Sequence, residues 1–236
     1  MPRDYGVSSR VTGFLKETGY CGTLATLQRR IVSHADALRP RILNAGAGTS
    51  TWLEDALSEA GISCCVDRLD VIDASVTHAL VDQTFLTSLE DMTPVQGERY
   101  DFVVATYVLE HIPNLSQAAA EVGRIMKPSG VLVAAVPNVL APEFLVARLT
   151  PHSVHTYFQP KATRTYYAYS SLRSLVNRFA AAGVMLAESH FAPVVYSYCR
   201  RLPRPLHLPA AAYDNAVARI GMRTLMGDAL LTFIRG

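Results

Sequence analysis

From residue 41 onward, short apolar runs alternate with longer segments whose apolar positions recur at helical spacing. RILNA (41–45) reads as a strand, and STWLEDALSEAG (50–61) as a helix closed by Gly61. ISCCVD (62–67) reads as a second strand, THALVD (77–82) as a weaker third, and YDFVVATYV (100–108) as a fourth rich in β-branched and aromatic residues. NLSQAAAEVGRIMKPSG (114–130) predicts a helix stopped by Pro128 and Gly130. VLVAAVPN (131–138) is apolar without interruption, as a strand is when helices cover both of its faces. VMLAESHF (184–191) and LMGDALLTFIRG (225–236) read as final strands, a hairpin-like pair separated by the helix PAAAYDNAVARIG (209–221). This alternation predicts an α/β fold: a doubly wound, mostly parallel, seven-stranded Rossmann-like sheet with an antiparallel C-terminal strand.

Residues 1–38 form a separate N-terminal helical segment or cap. TLATLQRRIVSHADAL carries Leu24, Leu27, Ile31 and Leu38 near one face, and Pro40 ends it. The α/β domain then occupies 39–236. Within it the rhythm breaks at 138–169, which holds prolines at 142, 151 and 160 and a cluster of tyrosine and phenylalanine rings. A long irregular stretch inside a compact domain is commonly functional, so this one is expected to cover the substrate. The helix SSLRSLVNRFAAAG (170–183) restores order.

Composition narrows the picture. The chain has 236 residues, 50% hydrophobic and 18% charged, enough for one large folded domain. A net charge of +2 argues against nucleic acid as a dedicated partner. Cys21, Cys64, Cys65 and Cys199 follow neither metal nor disulfide spacing and read as reduced core residues of a cytoplasmic protein. No apolar run is long enough to span a bilayer.

The turn AGAGTST (45–51) carries the candidate chemistry. Gly46 and Gly48 follow the first strand, where open parallel sheets bind ligands. Thr51 stands where the dinucleotide fingerprint needs its third glycine, which favours a ligand without a pyrophosphate. S-adenosylmethionine is such a ligand. Asn44 and the backbone near Ala45 and Gly46 could accept from its ammonium. Backbone N–H groups, or the hydroxyls of Thr49, Ser50 or Thr51, could bind its carboxylate. Asp67, at the end of the second predicted strand with Arg68 beside it, is placed to accept both ribose hydroxyls, with Asp70 as competitor if the strand runs longer. Asp82 and Gln83, at the predicted end of the third strand, could meet the adenine. Thr106, Tyr107, Glu110 and His111 follow the fourth strand, where the sulfonium methyl would lie. Each has a plainer reading: glycines as a structural turn, acids as surface carboxylates or helix caps.

Taken in order, LNAGAGTST, YDFVVATYVLEHIPN and AAAEVGRIMKPSGVLVAAVPN resemble the motifs of the class I S-adenosylmethionine-dependent methyltransferases, in the broad subgroup with an LEH signature. The resemblance covers about residues 40–140, so it makes 39–236 a methyltransferase domain. Asn44 stands in place of the usual acid and Ser50 in place of the third motif glycine. The resemblance implies methyl transfer to a small-molecule acceptor, most naturally an oxygen nucleophile, in natural-product or polysaccharide biosynthesis, with S-adenosylhomocysteine as product. Histidine is the natural base near neutral pH, which makes His111 and His155 the catalytic candidates. Tyr107, His111, His152, Tyr157, Tyr166 and Tyr167 are candidates to contact the acceptor. His152 and His155 lack a third ligand nearby, so no metal is expected. The aromatic C-terminal half could supply a homodimer face. Two alternatives stay open: a non-catalytic or repurposed member of the fold that binds a metabolite or partner, and a nicotinamide oxidoreductase.

Overall fold

The computed structural model describes residues 7–33, 39–74, 76–149, 166, 168–200 and 202–236, with no side-chain description for 146–149. The N-terminal segment forms α1 (Ser9–Lys16), whose Ser8 side chain accepts the Val11 N–H as a cap, and α2 (Gly19–Ser33). The rest of the predicted helix, 34–38, lies outside the described residues.

Seven strands form one sheet: β1 (Arg41–Ala45), β2 (Cys65–Asp70), β3 (Val81–Leu86), β4 (Tyr100–Thr106), β5 (Met126–Pro137), β6 (Val184–Ala192) and β7 (Asp228–Arg235). Their spatial order is β3-β2-β1-β4-β5-β7-β6. The first five pair in parallel, and β7 runs antiparallel between β5 and β6. This is the predicted doubly wound sheet with its antiparallel C-terminal strand. The order reverses between β1 and β4, so the crevice beyond their carboxyl ends is the topological switch point.

Two apolar layers cover the sheet. Leu27 of α2 and Leu53 and Leu57 of α3 (Trp52–Glu59) pack on Ile42, Val66, Phe102, Val104 and Val133. On the other side lie α4 (Leu115–Ile125) and, after the short helix α5 (Pro142–Leu149), α6 (Leu172–Ala181). Leu115, Ala119 and Val122 of α4, with Leu175 and Phe179 of α6, pack there on Leu43, Val103, Leu132 and Phe233. Alternate strand residues thus enter opposite layers, which explains the unbroken apolar run of β5. Beyond β6, α7 (Val195–Cys199) and α8 (His207–Ile220) pack together, and Gly221 ends α8 in the left-handed conformation at φ 73°. The four cysteines are free; Cys64 is buried, but Cys21 is exposed and Cys65 and Cys199 are half-buried, which corrects their reading as core residues.

Three boundaries differ from the sequence reading, and two of them move candidate site residues. β2 begins and ends three residues later than ISCCVD, and β3 is VDQTFL rather than THALVD. Charged residues marked the predicted strand ends. In the structure Asp67 and Arg68 are inside β2 because each charge is matched by an opposite one. The third difference lies at Pro128: the helix stops at Ile125, and β5 starts at once with KPSG at its head.

Candidate functional site

β1 delivers the chain to the crevice, and the glycine loop turns it there. Gly46 takes φ 68° and its N–H donates to the Leu69 carbonyl at 2.7 Å. A Cβ at Gly46 would stand 2.3 Å from Val108 Cγ2, so both the left-handed backbone and the close packing demand glycine. Gly48 takes φ 55°, and no heavy atom of the described residues lies within 4 Å of where its Cβ would be. Gly46, Thr49 and Ser50 are exposed along the rim.

Beneath the loop lies a buried polar network. Arg68 Nη1 donates to Glu54 Oε1 at 2.7 Å, and Arg68 Nη2 reaches the carbonyls of Ala47 (3.2 Å), Gly48 (2.9 Å) and Ser50 (3.0 Å). Asn44 Nδ2 donates to the same Glu54 oxygen at 3.0 Å. The Asn44 amide is thus taken up by Glu54, and the Arg68 guanidinium by Glu54 and the loop carbonyls. Sequence reasoning missed Glu54. Its signal was weak: one acid on the inner face of a helix, opposite a charge inside a strand.

The strand shifts relocate the acids. Asp67 sits mid-strand with no solvent exposure and is bound by Arg41 (3.0 Å), Arg99 (2.9 Å) and the Tyr100 hydroxyl (2.8 Å). Burial beside that carboxylate pushes the Tyr100 phenol far up. Asp82 is the second residue of β3 and pairs with Arg41 at 2.8 Å, and Gln83 accepts from Arg99 at 2.9 Å. Asp67, Asp82 and Gln83 thus form one ion-pair cluster with Arg41, the first residue of β1, and Arg99, just ahead of β4. None of them is at a carboxyl strand tip, which corrects the sequence reading's placement of Asp67 and Asp82 at strand ends. Asp70 is the strand-end acid: Oδ2 accepts the Gly48 N–H at 2.7 Å and Oδ1 the Ile72 N–H at 2.9 Å. Val71 and Ile72, just past the tip of β2, and Leu86, the last residue of β3, are exposed.

The tip of β4 closes the crevice. Thr106 Oγ1 lies 3.5 Å from Thr23 Oγ1 of α2. Tyr107 takes φ 58° and donates its hydroxyl to Asp228 Oδ1 at 2.8 Å. Tyr20 of α2 packs edge-on against both Trp52 (4.9 Å between centroids) and Tyr107 (5.6 Å), so α2 lines the site. LEH forms a short 3-10 turn, Leu109–His111, that leaves His111 half-buried and Glu110 buried. Desolvation pushes the Glu110 carboxyl up to about 8, with nearby Asp228 adding to the rise. Burial likewise raises Asp228, and takes Glu143 up to about 7. Tyr166 is exposed, and its N–H donates to the Glu110 carbonyl at 3.0 Å. His152, His155, Tyr157 and Tyr167 lie outside the described residues.

Comparison with known proteins decides the family. A model for the methyltransferase domain matches residues 21–188. The chain belongs to that family. This methyltransferase is 26% identical over 165 residues to the ubiquinone biosynthesis O-methyltransferase of Hydrogenovibrio crunogenus, covering 66% of this chain and 68% of that one. Among solved structures it is similar to the Burkholderia thailandensis 1,6-didemethyltoxoflavin-N1-methyltransferase with bound 1,6-didemethyltoxoflavin and S-adenosylhomocysteine. There the TM-score is 0.56 at 14% identity, covering 94% of this chain and 80% of that one. It is also similar to the [4+2]-cyclase SpnF, with a TM-score of 0.59 at 15% identity and coverage of 96% and 92%. These two likenesses concern the fold.

The methyltransferase's cofactor class, S-adenosylmethionine, fits the crevice. The loop offers exposed backbone at Gly46, Thr49 and Ser50, no described residue comes within 4 Å of where a Gly48 Cβ would stand, and each Asp70 oxygen takes one peptide N–H, which leaves it further acceptor capacity. Among the described residues no helix is long and apolar enough to cross a membrane, and no cluster of three or more metal-ligating side chains occurs.

Proposed function

We propose that this methyltransferase moves the methyl group of S-adenosylmethionine onto an oxygen of a small biosynthetic acceptor, such as a natural-product or polysaccharide precursor. The observation that carries the reading is the pairing of a positive-φ glycine loop, uncovered at Gly48 by any described residue, with a carboxylate, Asp70, hydrogen-bonded to that loop at the switch point. The oxygen assignment rests on the relatives named as ubiquinone biosynthesis O-methyltransferases.

In this reading Asp70 accepts the ribose hydroxyls, and Val71, Ile72 and Leu86 flank the adenine. Loop N–H groups hold the amino-acid carboxylate, and the carbonyls of Ala45 and Gly46 hold the ammonium. Thr106, Tyr107 and Tyr20 border the reacting end. S-adenosylmethionine supplies an activated methyl and its own leaving group, so the protein's part is to position two reactants and exclude water. His111, one turn beyond the β4 tip, is the proposed base for an acceptor hydroxyl. His155 is the second candidate. His152, Tyr157, Tyr166 and Tyr167 belong to the segment proposed to cover the acceptor.

Calorimetric titration with S-adenosylhomocysteine tests the cofactor assignment. Release of S-adenosylhomocysteine in the presence of phenolic and sugar acceptors tests the transfer. A second reading, a repurposed member of the fold, draws support from Asn44, whose amide is taken up by Glu54, and from Ser50 in the motif's third glycine position. Cofactor binding without turnover on any acceptor panel or pathway extract would favour it.

A further inference from the structure

Arg68 is almost fully buried, yet it is two residues from Asp70 on the same strand face. Its guanidinium gathers three loop carbonyls, those of Ala47, Gly48 and Ser50, and is neutralised by Glu54 of α3. Peptide units are planar, and none here is cis. A unit that turns its carbonyl down toward Arg68 therefore turns its N–H up and away. One case is directly visible: the Ala47 carbonyl faces Arg68, and the N–H of the same unit, on Gly48, donates to Asp70 at 2.7 Å. The other two units place the N–H groups of Thr49 and Thr51 on the side away from Arg68.

We propose that Arg68, neutralised by Glu54, is the positioning residue that orients the cofactor loop: it holds loop carbonyls beneath the loop so that the opposed N–H groups of Thr49 and Thr51 present a cradle for the carboxylate of the cofactor's amino-acid end. An apolar residue at 68 would leave three carbonyls under the loop without their donor, and the loop would turn to satisfy them elsewhere. Glu54 is needed because the guanidinium stays charged, and burying that charge without a counter-charge is strongly unfavourable. Asn44 completes the arrangement: with Glu54 supplying the charge, the strand needs only an amide donor at that position.

This inference rests on the crevice binding S-adenosylmethionine, and its test separates the two. The variant R68M/E54Q removes both charges, and the amide oxygen introduced by E54Q keeps an acceptor for Asn44. Two ligands are titrated by calorimetry, S-adenosylhomocysteine and 5′-methylthioadenosine, which lacks the amino-acid end. For R68M/E54Q with a cooperative melt, S-adenosylhomocysteine affinity falls at least roughly tenfold, as expected for losing charge-assisted contacts at the carboxylate. Methylthioadenosine affinity falls no more than about threefold. Equal losses for both ligands, or none for either, overturn the proposal. If that variant does not melt cooperatively, R68K carries the same two-ligand comparison. It keeps the charge but lacks the planar fork that reaches several carbonyls, so a selective loss of S-adenosylhomocysteine affinity is again expected, and an unchanged ratio is the contrary result. Wild-type protein that binds neither ligand overturns the functional reading itself.

Discussion

Substituting the two acids of β2 one at a time should split cofactor binding from folding stability. Asp70 receives the Gly48 N–H on one oxygen and the Ile72 N–H on the other. In D70N only one oxygen remains, so the amide NH2 must face one of those peptide N–H groups and one proposed ribose acceptor is lost. Hydrogen bonds to charged groups contribute about 1.5–3 kcal/mol each. The combined loss on binding is then roughly 2–4 kcal/mol, or roughly a 30- to 1,000-fold rise in Kd for S-adenosylhomocysteine. Asp70 is partly exposed, so stability should change little. Asp67 is the reverse case. It is fully buried against Arg41, Arg99 and Tyr100, so D67N leaves two guanidinium groups without their shared counter-charge. Because both arginines reach solvent, the cost is set somewhat below that of a fully buried broken pair, at about 2–4 kcal/mol. At about 2–4 °C per kcal/mol for a chain of this size, Tm falls by roughly 4–16 °C. Titration calorimetry and thermal melts on both variants provide the assay. The reasoning is refuted if D67N, still cooperatively folded, loses cofactor binding while D70N binds like wild type.

Other outcomes follow from the same geometry. G46A should lose about 2–4 kcal/mol, from a left-handed alanine together with the Cβ set against Val108 at 2.3 Å; chemical denaturation checks it, and V108A should restore part of the loss. Y107F removes the hydroxyl bonded to buried Asp228 and should cost about 1–3 kcal/mol, read by the same denaturation experiment. Glu110, Glu143 and Asp214 are raised to about 8, 7 and 6, so the folded state keeps protons that the unfolded chain releases above the ordinary carboxylate range. These groups therefore favour folding in acid and lose that contribution as pH rises toward 8. Melts should show Tm falling from pH 5 to pH 8.5, with E110Q raising Tm at pH 8.5 and leaving it unchanged at pH 5.

The sheet was legible because periodicity reports burial, and most strands obey it. β1, β4, β6 and β7 stand where their apolar and β-branched residues put them. β2 and β3 did not, for one physical reason: a strand can carry charges through its middle when partners neutralise them. Those partners come from elsewhere in the chain, Arg41 and Arg99 for Asp67 and Glu54 for Arg68, and no local window contains them. The three-residue shift that follows exchanges Asp67 for Asp70 at the strand tip. The glycine loop was visible because positive φ selects glycine directly. Tyr20 and Trp52 were not, since only the packing of α2 across the crevice brings their rings together.

A crystal structure with S-adenosylhomocysteine tests the central claim most directly. The account predicts both ribose hydroxyls within hydrogen-bonding distance of Asp70 and the amino-acid carboxylate on the N–H groups of Thr49 and Thr51, over an unmoved Arg68. An adenosine lodged beside Asp67 and Asp82, or away from the glycine loop altogether, would contradict it.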